Sequence, residues 1–338
     1  MRARPTVEIN KSPSPSGKVV DIIDGQLREL AEIRNPEASD TELSKLTDEL
    51  KSEIVPVNVF YPWRAVVVRM LPENEFFEIK TNRNKNIINK SEQTKLREFN
   101  ISIAGMSIGS TIFYSLIGTG VGRAFQLADD DTFSTSNLNR VQATILDVGQ
   151  DKVDTAIMRA LELDPFLRIS SLDGRINPQN IEEFSNHGAT DLIIEETDDF
   201  RMKLYLREHA KKHEIPLVMF TNIGDAIMLD VERYDRGDAD LFNGLLNPSL
   251  LAKMKQGDIS DDDGKAIALS LVDQSMLTER IVNTVKGIGR EYVGRPQLNG
   301  TVTVSGGLAP YIIRRLLVWD DLASGRYKLE LGALVRLG

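Results

Sequence analysis

The 338-residue chain carries 41 Lys and Arg against 50 Asp and Glu, for a net charge of -9 and a pI of about 5.1, a balance that argues against non-specific nucleic-acid binding. There is no cysteine, which excludes disulfides, thiolate-bound zinc and an acyl thioester on this chain, and 41% hydrophobic residues is ordinary for a folded globular protein. No stretch approaches the roughly 20 apolar residues of a membrane helix. The N-terminus lacks an apolar signal core, so cytoplasm is the expected location, with no nucleic-acid or membrane partner.

Residues 1–18 are polar, with Pro13 and Pro15 among serines, and are expected to form a mobile arm. Helical spacing recurs over Val19–Arg34 and Asp40–Ile54, with Ser39 and Glu42 in a capping-box pattern. Two strand-like runs follow, Arg64–Leu71 and Glu75–Thr81, separated by a Pro-Glu-Asn turn. A basic segment, Arg83–Lys90, precedes an alternation of strands and helices. The strands are Ile101–Ala104, Phe125–Ala128, Arg168–Leu172, Asp191–Glu195 and Leu217–Phe220, and the helices are Ser110–Gly118, Lys152–Leu163, Asn180–Phe184 and Phe200–His213. This alternation predicts an α/β fold, a Rossmann-like, doubly wound, mainly parallel sheet with helical N- and C-terminal extensions. Met228–Asp235 is expected as an antiparallel edge strand, and the apolar run from Gly307 to Trp319 as a last helix. The expected domains are 1–95, 96–235 and 236–338.

The turn after the first core strand, Ala104–Ser110, is rich in small residues. Gly105, Ser107, Gly109 and Ser110 let a backbone approach phosphates at a helix N-terminus. The hydride-transfer fingerprint G-x-G-x-x-G fails there at Ala104 and Met106, so a nicotinamide oxidoreductase is the less favoured reading. Asp129 and Asp131 close the next strand, where an acid can hold a ribose. The polar Ser136–Arg140 loop and Lys152 supply the cations that a triphosphate needs. Asp198, past the end of a parallel strand, can hold Mg²⁺, although Asp198 or Asp199 could equally cap the following helix. His209 and His213, four residues apart, are expected on a helix surface, two imidazoles alone making a weak metal site.

The order of these motifs resembles the ThiF/MoeB/HesA superfamily, the bacterial relatives of ubiquitin-activating enzymes. That order is the small-residue turn, D-x-D, S-N-L-N-R, D-V-G-Q-x-K and D-x-F-x-x-K. Features such as AGMSIGS and LFNGLL look more like a branch sometimes fused to a nitroreductase-like domain. The resemblance implies an ATP-dependent adenylyltransferase that activates a carboxylate, on a protein or peptide C-terminus or a small molecule, as acyl-adenylate with release of pyrophosphate. It implies ATP and Mg²⁺ as cofactors, a homodimer, and no zinc, since cysteine is absent. By the same resemblance the Ala104–Ser110 turn cradles phosphates and Asp129 binds ribose. Asn137, Arg140 and Lys152 contact the nucleotide, and Asp198 positions Mg²⁺. Arg83, with Lys85 as the alternate, reaches the γ-phosphate in the neighbouring subunit. The family pattern departs at Met106 and Ser107, which are expected to narrow the turn, at Val141 in place of Gln, and at Asp199 in place of Asn. These losses sustain a rival reading, a catalytically degenerate scaffold.

Overall fold

A computed structural model of the chain describes residues 4–10, 17–186, 188–237 and 239–334. The main sheet has seven strands in the order β11-β10-β9-β8-β5-β6-β7. Their ranges are β5 Asn100–Ala104, β6 Ala124–Ala128, β7 Arg168–Ser171, β8 Leu192–Glu195, β9 Leu217–Ile223, β10 Ala226–Glu232 and β11 Gly325–Glu330. Strands β5 to β9 run parallel, while β10 pairs antiparallel with both β9 and β11.

Helices cover both faces because the central strands are apolar on both. On β5 the side chains alternate: Ile101 and Ile103 enter the large core with α5 (Ile108–Thr119), α6 (Lys152–Leu163) and α12 (Asn299–Ile313). Ala104 belongs to the opposite core, under α7 (Ile181–Phe184) and α8 (Phe200–Lys212), and buried Ser102 bonds the Phe184 carbonyl and Thr190 on that side. Close helix packing of α12 on α5 rests on Gly306, where a Cβ would come 2.6 Å from the Thr111 methyl. Two further helices, α9 (Pro248–Gln256) and α10 (Asp261–Leu271), bury a small apolar cluster against α8, and α11 (Glu279–Gly287) precedes α12.

The N-terminal part builds a second sheet, β1-β3-β4-β2, from β1 Glu8–Asn10, β2 Lys18–Asp21, β3 Val57–Tyr61 and β4 Val66–Met70. A helical hairpin, α1 (Ile23–Arg34) and α2 (Asp40–Glu53), and the helices α3 (Glu73–Lys80) and α4 (Lys90–Glu98) complete this part. It is held to α6 of the main unit by Lys80 on Asp164 at 2.9 Å, Arg64 on Glu162 at 2.8 Å and Tyr61 Oη on the Leu161 carbonyl.

Four expectations are corrected. The described part of the arm is ordered: β1 pairs with β3, and the Arg4 guanidinium donates to Asp154 at 2.9 Å and the Leu172 carbonyl at 3.0 Å. Residues 11–16 lie outside the described set. The apolar run from Val19 opens as strand β2, because Asp21 accepts from the Ile23 N–H and starts α1 only there. Glu75–Thr81 is helical, not a strand. Glu73 and Glu75 suit the N-terminus and Lys80 the C-terminus of a helix dipole, and Phe76 and Ile79, three apart, both face the α1 core. Strand β10 is also internal, since β11 covers its outer edge.

Candidate functional site

Strand order reverses between β5 and β8, the point where an open parallel sheet leaves a crevice beyond its carboxyl ends. A cleft of about 290 Å³ lies there, reached by the ends of β5, β6 and β8 and by the first turns of α5 and α8. Its floor is the turn from β5 into α5. Gly105 adopts φ +90°, and a Cβ at that position would come 2.4 Å from the Glu196 carbonyl, so only glycine fits. Met106 points into the large core and is fully buried, so it does not narrow the turn as expected; Ser107 lines the cleft.

Helix α5 begins without a capping side chain and without an acid in its first turn. Helices α2, α4, α6, α8, α9, α10 and α11 are each capped by a side chain. The uncapped N–H groups and the positive end of the α5 dipole therefore face the cleft, a ready anion site.

The three acids after β6 take different roles. Asp129 accepts from the Met106 N–H and, at 2.8 Å, from the Asp131 N–H, so its carboxylate braces the turn. Burial raises its pKa, and Lys152 and these N–H groups work against that rise. Asp131 is paired with Lys152 Nζ at 2.7 Å, and Nζ also reaches Ser107 Oγ at 3.4 Å. Asp130 pairs with Arg175 at 2.7 Å. Lys152 is almost wholly buried, fixed as the first residue of α6 behind the Asp151 cap.

Arg140 lines the cleft half-buried, donating to the Ser136 carbonyl and to Asn139, while its Nε has no partner among the described residues. Burial lowers its pKa and the nearby Asp198 charge opposes that shift. Asn137 is buried, and its Oδ1 accepts from the Ser134 N–H, closing its own loop instead of lining the cleft. Asp198 reaches the cleft from the β8 end, its side chain 87% exposed and paired with Arg295. Asp199 caps α8, accepting from the Arg201 and Met202 N–H groups.

Arg83 is exposed and lies outside this cleft. Its neighbour Asn84 bonds the Thr119 carbonyl at the far, C-terminal end of α5, about 18 Å from the turn at 1.5 Å per residue. Gly105, Ser107, Asp129, Asp131, Arg140 and Asp198 are thus brought to one cleft with Lys152 behind them; Gly109 packs against Ile103 and Glu196, and buried Ser110 bonds the Ser107 carbonyl. Four residues were not singled out by sequence. Glu196 is half-buried at the cleft wall and accepts from the Phe220 N–H; desolvation first, then the Glu195 charge, push its pKa well up. Asn222 bonds Ser305 and leaves its Nδ2 unpartnered, and Arg175 and Arg295 arrive from distant loops. Only Glu196, beside Asp198, carried a local signal.

Residues 80–224 match the ThiF family. The chain is 31% identical over 275 residues to an uncharacterised protein of Mycobacterium tuberculosis, spanning 81% of this chain and 38% of that protein. It is 29% identical over 158 residues to the tRNA threonylcarbamoyladenosine dehydratase of Bacillus subtilis, spanning 46% of this chain and 61% of that one. The alignments thus span about two-fifths and three-fifths of these relatives' own length. In fold, it is similar to the Escherichia coli tRNA N6-threonylcarbamoyladenosine dehydratase in complex with AMP. There the TM-score is 0.52 with 18% identity, covering 74% of this chain and 98% of that one.

Proposed function

We propose that this chain, whose residues 80–224 form a ThiF-family domain, uses ATP to adenylate a carboxylate, releasing pyrophosphate. The observation that carries the reading is the uncapped N-terminus of α5 opening on a cleft lined by Arg140 and the exposed Asp198, with Lys152 directly behind Ser107. The residues fit a nucleotide: Arg140 Nε and Asn222 Nδ2 are donors without protein partners, and Ser107 Oγ and the turn N–H groups face the same space.

In this mechanism the turn and Lys152 bind and orient the polyphosphate. Lys152 is pre-positioned by Asp131, so little reorganisation accompanies charge build-up at the α-phosphate. Arg140 supplies a second cation from the Ser136–Arg140 loop. Asp198 would hold Mg²⁺, which supplies charge neutralisation between the phosphates and the departing pyrophosphate. Asp131 and Asp129 remain the ribose-side acids, Asn137 supports the loop that presents Arg140, and Arg83 meets a nucleotide only if a second copy supplies it in a homodimer. The acyl acceptor is a separate nucleophile and not a cysteine of this chain, which has none. A second reading, a nucleotide-binding scaffold without turnover, is favoured by one observation: Arg295 occupies Asp198.

Calorimetric titration with ATP·Mg, followed by pyrophosphate–ATP exchange in the presence of trial carboxylates, tests both. Saturable ATP·Mg binding that Asp198→Ala weakens is expected, with no response to NAD(P)H. Failure of ATP·Mg to bind sinks the adenylation reading, and binding without exchange leaves the scaffold.

A further inference from the structure

About 15 Å along α8 from Asp199, at 1.5 Å per residue, a separate cluster joins α7 to the last turns of α8. The sequence places His209 and His213 on a helix surface, but His209 is buried at 5% exposure. The two rings are 4.4 Å apart, and Glu182 of α7 faces both. Glu182 Oε1 lies 3.9 Å from His209 Nδ1 and 3.2 Å from His213 Nε2, and Oε2 lies 3.1 Å from the latter.

Ser185 Oγ lies 2.6 Å from His209 Nε2, accepts from the Gly188 N–H at 3.2 Å and lies 3.3 Å from the Glu182 carbonyl. In the tautomer that donates from Nε2 to Ser185, the Nδ1 lone pair faces Glu182.

Ligand atoms about 2.0 Å from a tetrahedral ion stand about 3.3 Å apart. The distances from Glu182 here run from 3.1 to 3.9 Å, and all three ligand atoms lie within 4.8 Å of one another. We propose that Glu182, His209 Nδ1 and His213 Nε2 form a binding site for a divalent transition-metal ion, zinc fitting the ligand set best, with the fourth position open to solvent. Two imidazoles disfavour Mg²⁺ and Ca²⁺. The lack of cysteine rules out a thiolate site. Without the ion, His213 and Lys212 both donate to Glu182, the latter at 2.7 Å; the ion replaces these bonds and ties α7 to α8. His187 lies outside the described residues.

The site rests on residues outside the nucleotide cleft, so its test is independent of adenylation. The tag-free, full-length chain, stripped by chelator and free of ATP, is titrated with Zn²⁺ by calorimetry and with Co²⁺ by visible absorption. One ion per chain is expected, with the intense visible bands of four-coordinate Co²⁺. Glu182→Gln and His213→Gln, both at partly exposed positions, are each expected to weaken zinc binding by about tenfold or more, while Asp198→Ala leaves it unchanged. Absence of saturable uptake, or equal affinity in wild type and His213→Gln, overturns the proposal.

Discussion

Two groups of charge meet at the end of β8, three residues apart in sequence and opposite in character. Behind the sheet, Glu195 is bonded by Lys203 at 2.9 Å and by Arg207 at 2.8 Å, and Arg207 also binds Glu232 at 2.7 Å. Tyr234 and the Phe242 N–H complete Glu232, and the Phe242 ring lies 4.2 Å from the Arg207 guanidinium. In front, the cleft keeps an exposed Asp198, an unpartnered Arg140 Nε and an unpartnered Asn222 Nδ2. Buried charge with every position taken specifies structure; charge with positions left over is available to a ligand.

The sharpest way to break this contrast is Arg207→Ala, which removes the cation shared by two buried carboxylates. A loss of about 3–5 kcal/mol in urea unfolding is expected, and wild-type-like stability would refute the saturated network. Lys152→Ala is expected to cut pyrophosphate exchange by about 10²–10³-fold, with a far smaller effect on unfolding than Arg207→Ala. Equal damage to both would place Lys152 with the structural group.

The two neighbouring glutamates respond oppositely to pH. Burial alone would raise the Glu195 pKa, but Lys203 and Arg207 overcome it and hold it at about 2 against an ordinary 4.5. Its contribution to stability is full above about 4.5 and is lost as pH falls toward 2. Glu196 is raised, so its contribution is full below the ordinary value and is lost as pH rises through the folded one. Glu196→Gln keeps an acceptor for the Phe220 N–H and is expected to flatten the pH dependence of unfolding above pH 4.5; an unchanged slope would reassign that titration. The smallest effect is expected from Arg295→Ala. Freeing Asp198 should tighten ATP·Mg by roughly two- to fivefold in a titration. A weakening instead would make Arg295 a phosphate contact.

Much of the parallel core was legible because its signals are local. Apolar strands alternate with amphipathic helices, and α6 begins at Lys152, directly behind its Asp151 cap. The α3 error shows the limit: Glu75–Thr81 alternates well enough for a strand, and only packing of Phe76 and Ile79 on α1 selects the helix. His209 was misplaced for the same reason, since a polar helix terminus looks exposed until α7 and Ser185 cover it. Met106 looked like an obstruction until the turn rotated it into the core.

The sequence alone determined the doubly wound α/β class, the glycine at Gly105 and the positions of Asp129, Arg140, Lys152 and Asp198, because hydrophobic period, turn chemistry and charge type are written within a few residues. Tertiary structure alone decided which charges are spent and which remain. Whether Lys152 meets Asp131, Arg295 reaches Asp198, or Glu182 meets His213 depends on strand order and on loops 21 to 97 residues apart. Such pairings follow from where the folded backbone carries the groups, which no local pattern encodes.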